Sequence, residues 1–108
     1  MSIPQVPVTD VHDQALMLDV REQDEWDAGH APGALHIPLG ELPSRLDELP
    51  DTDDSVLAVV CRGGGRSSRA VAWLSQQGFD VANLDGGMKA WEGAGKPLVA
   101  DSGSATVK

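Results

Sequence analysis

SVLAVVCRGGGRSSRAVAWLSQQ, running from Ser55 to Gln77, decides the fold. Its opening, Ser55 to Val60, is a β-branched apolar run with no polar alternation. That is the pattern of a central strand buried on both faces. Cys61 ends the strand, and the loop RGGGR follows it. From Ser67 to Gln77 the pattern is helical. Ser67 or Ser68 is placed to cap the start, and Gly78 fits the stop.

Working outward, short apolar runs alternate with helix-like segments. Ala15 to Val20 (ALMLDV) predicts a buried strand. Glu22 to Ala28 predicts a short helix ended by Gly29, and Leu35 to Pro38 a short strand. Leu42 to Leu49 predicts a helix with Leu42, Leu46 and Leu49 on one face, closed by Pro50. Val81 to Leu84 predicts a strand, and Met88 to Glu92 a last helical turn or two, punctuated by Gly93 and Gly95. Strands and helices alternating at this spacing imply an α/β domain, with a mainly parallel central sheet and helices on both faces. Ligands of such sheets bind beyond the carboxyl ends of the strands, where Cys61 lies. One domain is expected over residues 1–100, followed by a polar, frayed tail over 101–108.

Composition limits the partners. The chain has 108 residues, 41% of them apolar and 23% charged, which suits one soluble globular domain. A net charge of -9 argues against nucleic acid and against anionic membranes. No apolar run approaches the roughly 18 residues that span a bilayer. The N-terminus MSIPQVPVTD shows no secretory pattern, so the expected compartment is the cytoplasm. Against this acidity, Arg62, Arg66 and Arg69 gather in one glycine-rich segment, which suggests a local anion site.

Cys61 is the single cysteine, so the chain holds no internal disulfide and no CxxC pair. A cysteine after an apolar strand is ordinarily an inert buried thiol. The loop argues otherwise. Gly63, Gly64 and Gly65 place no side chains between the backbone amides and the loop centre, and inward amides form an anion nest. The start of the helix adds unpaired N–H groups and the positive end of its dipole. Such surroundings favour thiolate over thiol. The loop is not a nucleotide P-loop, because GxxxxGK[ST] is absent. No His, Cys, Asp or Glu cluster has metal-ligand spacing, so neither a metal nor another cofactor is expected.

Three segments carry a resemblance to a known family. They are LDVREQDEWDAGHAPGALHIPL (Leu18 to Leu39), VVCRGGGRSSRAVAWLSQQGF (Val59 to Phe79) and LDGGMKAW (Leu84 to Trp91). In this order they resemble the single-domain rhodaneses, across roughly Val11 to Pro97. The resemblance implies a central parallel sheet flanked by helices. It also implies a Cys61 that cycles between thiolate and persulfide as sulfur passes from a donor such as thiosulfate to a thiol or cyanide acceptor. The amides from Arg62 to Ser67 would form the cradle, and the same nest suits a persulfide anion. Arg62 and Arg66 would shape the pocket and bind donor anions, although Arg66 could equally brace the loop. Gly86, Gly87 and Trp91 would line the pocket edge by packing. Asp19 and Arg21 would form a structural ion pair, and His30 would stabilise a turn.

Two other readings differ in what Cys61 does. Phosphatases and arsenate reductases of related fold resemble a C-x5-R loop, whereas Cys61 to Arg66 is C-x4-R. A tetrahedral oxyanion needs the wider cradle, no general acid is evident in the loop, and a reductase needs a second thiol. A persulfide carrier that hands sulfur to a protein thiol uses the same residues as a small-molecule sulfurtransferase.

Overall fold

A computed structural model of the protein describes residues 3–51 and 55–108. Positions 1, 2 and 52–54 of the expected domain lie outside the described residues. Along the chain come β1 (Gln5–Val6), β2 (Met17–Asp19), α1 (Gln23–Ala28), β3 (Ala34–His36), β4 (Leu57–Val60), α2 (Gly65–Gln76), β5 (Val81–Leu84) and α3 (Gly87–Gly93). The strands form one sheet in the order β1-β5-β4-β2-β3. Every neighbouring pair is parallel. The expected α/β architecture is therefore present.

The unbroken apolar character of β4 has a direct cause. Side chains alternate between faces along a strand. Leu57 and Val59 pack with Leu18, Ala70, Val71 and Leu74, which brings α2 onto one face. Ala58 and Val60 pack with Met17, Leu84, Met88 and Trp91, which brings α3 onto the other. The same alternation on β5 sends Val81 to the α2 side and Leu84 to the α3 side.

Three expectations are corrected. The helix read over Leu42 to Leu49 is instead two 3-10 segments, Leu39–Ser44 and Leu46–Glu48. Pro43 carries no N–H to donate, and Arg45 leaves helical geometry at φ -126° and ψ 23°. The apolar spacing of Leu42, Leu46 and Leu49 reports core contact here, because all three touch the α2-side cluster. The start of α2 also differs. Its N-cap is Gly64, at φ +122°, and neither serine caps it. Ser68 Oγ donates to the Gly64 carbonyl at 2.6 Å, and Ser67 turns inward. The tail is not frayed either. The Thr106 amide donates to the Ala28 carbonyl at 2.9 Å, and Val107 packs on the α3-side cluster.

The Asp19–Arg21 ion pair takes the form expected of it. Both side chains are fully buried. Arg21 Nε donates to Asp19 Oδ1 at 3.0 Å and Nη2 to Oδ2 at 2.7 Å. Nη2 also donates to the Gly29 carbonyl at 2.8 Å, which ties the end of β2 to the turn after α1. No helix among the described residues is long and apolar enough to cross a membrane.

Candidate active site

Cys61 leaves the carboxyl end of β4 and is 1% exposed. Its Sγ accepts the Gly64 amide proton at 3.0 Å and lies 3.3 Å from Ser67 Oγ. Burial pushes the thiol up, since a charged sulfur loses water. Hydrogen bonds from the Ser67 hydroxyl and from the amides of Ser67, Gly64 and Arg66 outweigh this, and hold it below its ordinary value. The amides of Gly64, Arg66 and Ser67 and the Ser67 hydroxyl thus converge on the sulfur.

The loop glycines are not equivalent. Gly64 occupies a backbone region that side chains rarely adopt, at φ +122°. A Cβ on Gly63 or Gly65 would meet nothing within 4 Å. The glycine without which the loop could not sit where it does comes from α3. A Cβ on Gly87 would stand 2.5 Å from the carbonyl oxygens of both Cys61 and Arg62. That close approach lets the Met88 and Lys89 amides donate to those carbonyls, at 2.8 and 3.1 Å. The start of α3 therefore clamps the Cys61 loop from behind.

Arg66 faces α1. Its Nη1 and Nη2 donate to Glu25 Oε1 and Oε2 at 2.6 and 2.8 Å. This two-pronged pair holds the first turn of α2 against α1. Arg62 is exposed, and its Nε donates to the Lys108 backbone carbonyl at 3.0 Å. The histidines point elsewhere. His30 Nδ1 contacts the Ala31 carbonyl and His36 Nε2 the Arg21 carbonyl. Trp26 stacks on both imidazoles, with ring centroids 3.5 and 4.7 Å away. Trp91 is buried and donates to the Pro97 carbonyl at 2.8 Å. Among the described residues, no group of three or more His, Cys, Asp or Glu side chains could hold a metal ion.

Sequence reasoning missed Asn83. It lies on β5 and is 3% exposed. Its Oδ1 accepts a hydrogen bond from the Ser67 hydroxyl, and its Nδ2 donates to Gln5 Oε1 at 2.8 Å. The available signal was an amide inside an apolar strand. A buried polar side chain requires a partner.

A model of the rhodanese-like domain matches residues 9–94. The chain belongs to the rhodanese family. A sulfurtransferase of Allochromatium vinosum is 41% identical over 92 residues, covering 84% of each chain. A rhodanese-related protein from Thermoplasma volcanium superposes with a TM-score of 0.80 at 32% identity, over 91% of this chain and 99% of that one. A thiosulfate sulfurtransferase from Pseudomonas aeruginosa superposes at 0.79 and 29% identity, over 95% of this chain and 21% of that longer one. Family and relatives together support sulfur transfer in general. Within this rhodanese domain, the loop from Cys61 to Ser67 holds the buried, hydrogen-bonded thiol.

Proposed function

We propose that the protein moves a sulfane sulfur from a donor such as thiosulfate to a thiol or cyanide acceptor, through a persulfide on Cys61. The observation that carries this reading is a buried sulfur met by the Gly64 amide at 3.0 Å and by the Ser67 hydroxyl at 3.3 Å. In the first step the Cys61 thiolate attacks the outer sulfur of thiosulfate. The donor S–S bond breaks and its electron pair leaves with sulfite. In the second step the acceptor attacks the outer sulfur of Cys61–S–S⁻. The new S–S bond breaks, its electron pair returns to Cys61, and thiocyanate or an acceptor persulfide departs. No external oxidant or reductant is needed.

Both the thiolate and the persulfide are anions, so one nest serves both. Amides from Arg62 to Ser67, freed of side chains at Gly63, Gly64 and Gly65, form the cradle in this reading. Arg62 draws in the anionic donor, and Arg66, held by Glu25, fixes the first turn of α2 and adds positive charge. A catalytic thiol of this kind works in a reducing compartment, which suits the cytoplasm.

Intact-mass spectrometry after thiosulfate treatment tests the proposal. A gain of about 32 Da, one sulfur atom, is expected from a covalent sulfur intermediate. Cyanide should remove it, and Cys61→Ser should abolish it. A free Cys61 thiol that gains no sulfur from thiosulfate refutes this donor. Cys61-dependent hydrolysis of an aryl phosphate would favour the phosphatase reading instead.

A further inference from the structure

Asn83 sits where the proton of Ser67 is decided. The hydroxyl of Ser67 has one proton and three acceptors around it: Asn83 Oδ1, the Cys61 sulfur at 3.3 Å and the Gly64 carbonyl at 3.3 Å. A proton given to Asn83 is withheld from the sulfur. Asn83 in turn is bonded through Nδ2 to Gln5 Oε1 at 2.8 Å, on the exposed edge strand β1.

Each amide carries a donor and an acceptor of nearly the same size. Turning both amides by half a rotation preserves both hydrogen bonds with their directions reversed. Gln5 Nε2 then donates to Asn83 Oδ1, and Asn83 Nδ2 donates to Ser67 Oγ. The Ser67 proton is now left for the sulfur or the Gly64 carbonyl. The two arrangements match the two states of the cysteine. A thiol can donate to Ser67, which passes its own proton to Asn83. A thiolate or a persulfide anion only accepts, so it needs the Ser67 proton.

We propose that Asn83 is a positioning residue, and that the Gln5–Asn83 amide pair turns to direct the Ser67 proton toward Cys61 whenever its sulfur is anionic. The inference rests on the sulfur-transfer reading for the persulfide state alone. The thiolate state stands without it. The ionisable groups on and beside the elements around the thiol are Arg62, Arg66 and Arg69, Glu22, Asp24, Glu25 and Asp27 at and within α1, Asp19 and Arg21 at the end of β2, and Asp85, Lys89 and Glu92 beside and within α3. Substitutions at Gln5 alter none of them.

Gln5 is exposed, so it can be changed without disturbing the core. Gln5→Glu leaves only acceptors and pins Asn83 with Oδ1 toward Ser67, the thiol arrangement. Gln5→Lys leaves only donors and pins the opposite one. The readout is the pH profile of Cys61 alkylation by iodoacetamide. Gln5→Glu should raise the thiol pKa and Gln5→Lys should lower it. Each shift should be about half a unit or more, roughly threefold in thiolate population below the pKa.

The added charges act in the same directions through space, so each substitution is repeated in Ser67→Ala and in Asn83→Ala. The relay predicts that in either background both shifts shrink to the smaller part that the charge exerts through space. Unchanged profiles in the parent chain, or shifts that persist at full size without Ser67 or Asn83, overturn the proposal. Alkylation needs no sulfur donor. A failure of persulfide formation beside an intact relay would therefore count against the proposed function alone.

Discussion

Arg66 illustrates how one residue can be read in two ways from sequence and in one way from geometry. It lies in the first turn of α2 beside the Cys61 loop, and both of its prongs are taken by Glu25. Its hydrogen bonds hold the Glu25 carboxyl below the usual range, against the upward push of partial burial. The guanidinium is raised in return, chiefly by the same carboxylate. The sign of the pH effect follows. A carboxyl whose folded pKa lies below its unfolded value near 4.3 adds stability above that value. The contribution is lost as pH falls through the lower folded pKa. Glu25→Gln should therefore cost about 1 kcal/mol near neutral pH, since the pair is only partly shielded from water. The gap to the parent chain should close in acid. Urea midpoints measured from neutral pH downward check this, and a gap that stays constant with pH would remove the charge pair as its cause.

At the scale of elements, the Cys61 loop is held from two sides, and the sequence displayed only one. The strand–Cys–glycine–helix order was legible because β4 is apolar on both faces and α2 shows helical spacing. The clamp from α3 was not legible, since Gly87 forms its contact with Cys61 and Arg62 only after β4 and β5 have paired. The start of α2 was misread for a related reason. Two serines suggested a cap, but Gly64, with its positive φ, turns the chain earlier and frees Ser67 to face the sulfur. Local pattern marked Asn83 only as an amide in an apolar strand, and its partner Ser67 followed from the parallel register that sets it beneath the start of α2. These contacts rank the glycines in an order that the GGG motif does not suggest. Gly87→Ala forces a Cβ against two carbonyls at 2.5 Å, at a φ of +62°. It should destabilise the fold by about 2–3 kcal/mol, by strain and by loss of the amide clamp. It should also raise the Cys61 thiol pKa as the loop shifts. Gly63→Ala, with open space around it, should stay within about 0.5 kcal/mol of the parent chain. Thermal melts paired with alkylation profiles test the ranking. Equal effects of the two substitutions would refute it.

At the scale of the whole molecule, the tail joins parts of the domain that the sheet alone does not connect. Val99 and His30 exchange backbone hydrogen bonds at 3.0 and 2.8 Å. Further on, the Thr106 amide reaches Ala28, and the Val107 amide reaches Glu92 Oε2 at 3.3 Å. Lys108 Nζ pairs with Asp24 at 2.5 Å, while the Lys108 carbonyl accepts from Arg62. The docked segment ties α1, α3 and Arg62 of the Cys61 loop together. Its anchorage depends on Gly29, whose absent Cβ would otherwise lie 2.4 Å from the Thr106 carbonyl oxygen. Gly29 has an extended φ of 166°, which any residue adopts, so a side chain there acts on the tail and not on the local backbone. Gly29→Ala should therefore release residues 104–108 and expose them to protease, while the rest of the domain stays resistant. The loss of Val107 burial should cost about 1–2 kcal/mol, a few degrees in melting temperature for a domain of this size. The Cys61 nest should keep its alkylation profile, because none of its donors comes from the tail. Arg62 would be freed of Lys108, and if Arg62 gathers the donor, the KM for thiosulfate should fall with kcat unchanged. A tail that stays protected in Gly29→Ala would show that the Thr106 contact does not hold it. A released tail with an unchanged KM would assign Arg62 to the docking of the tail and not to the donor.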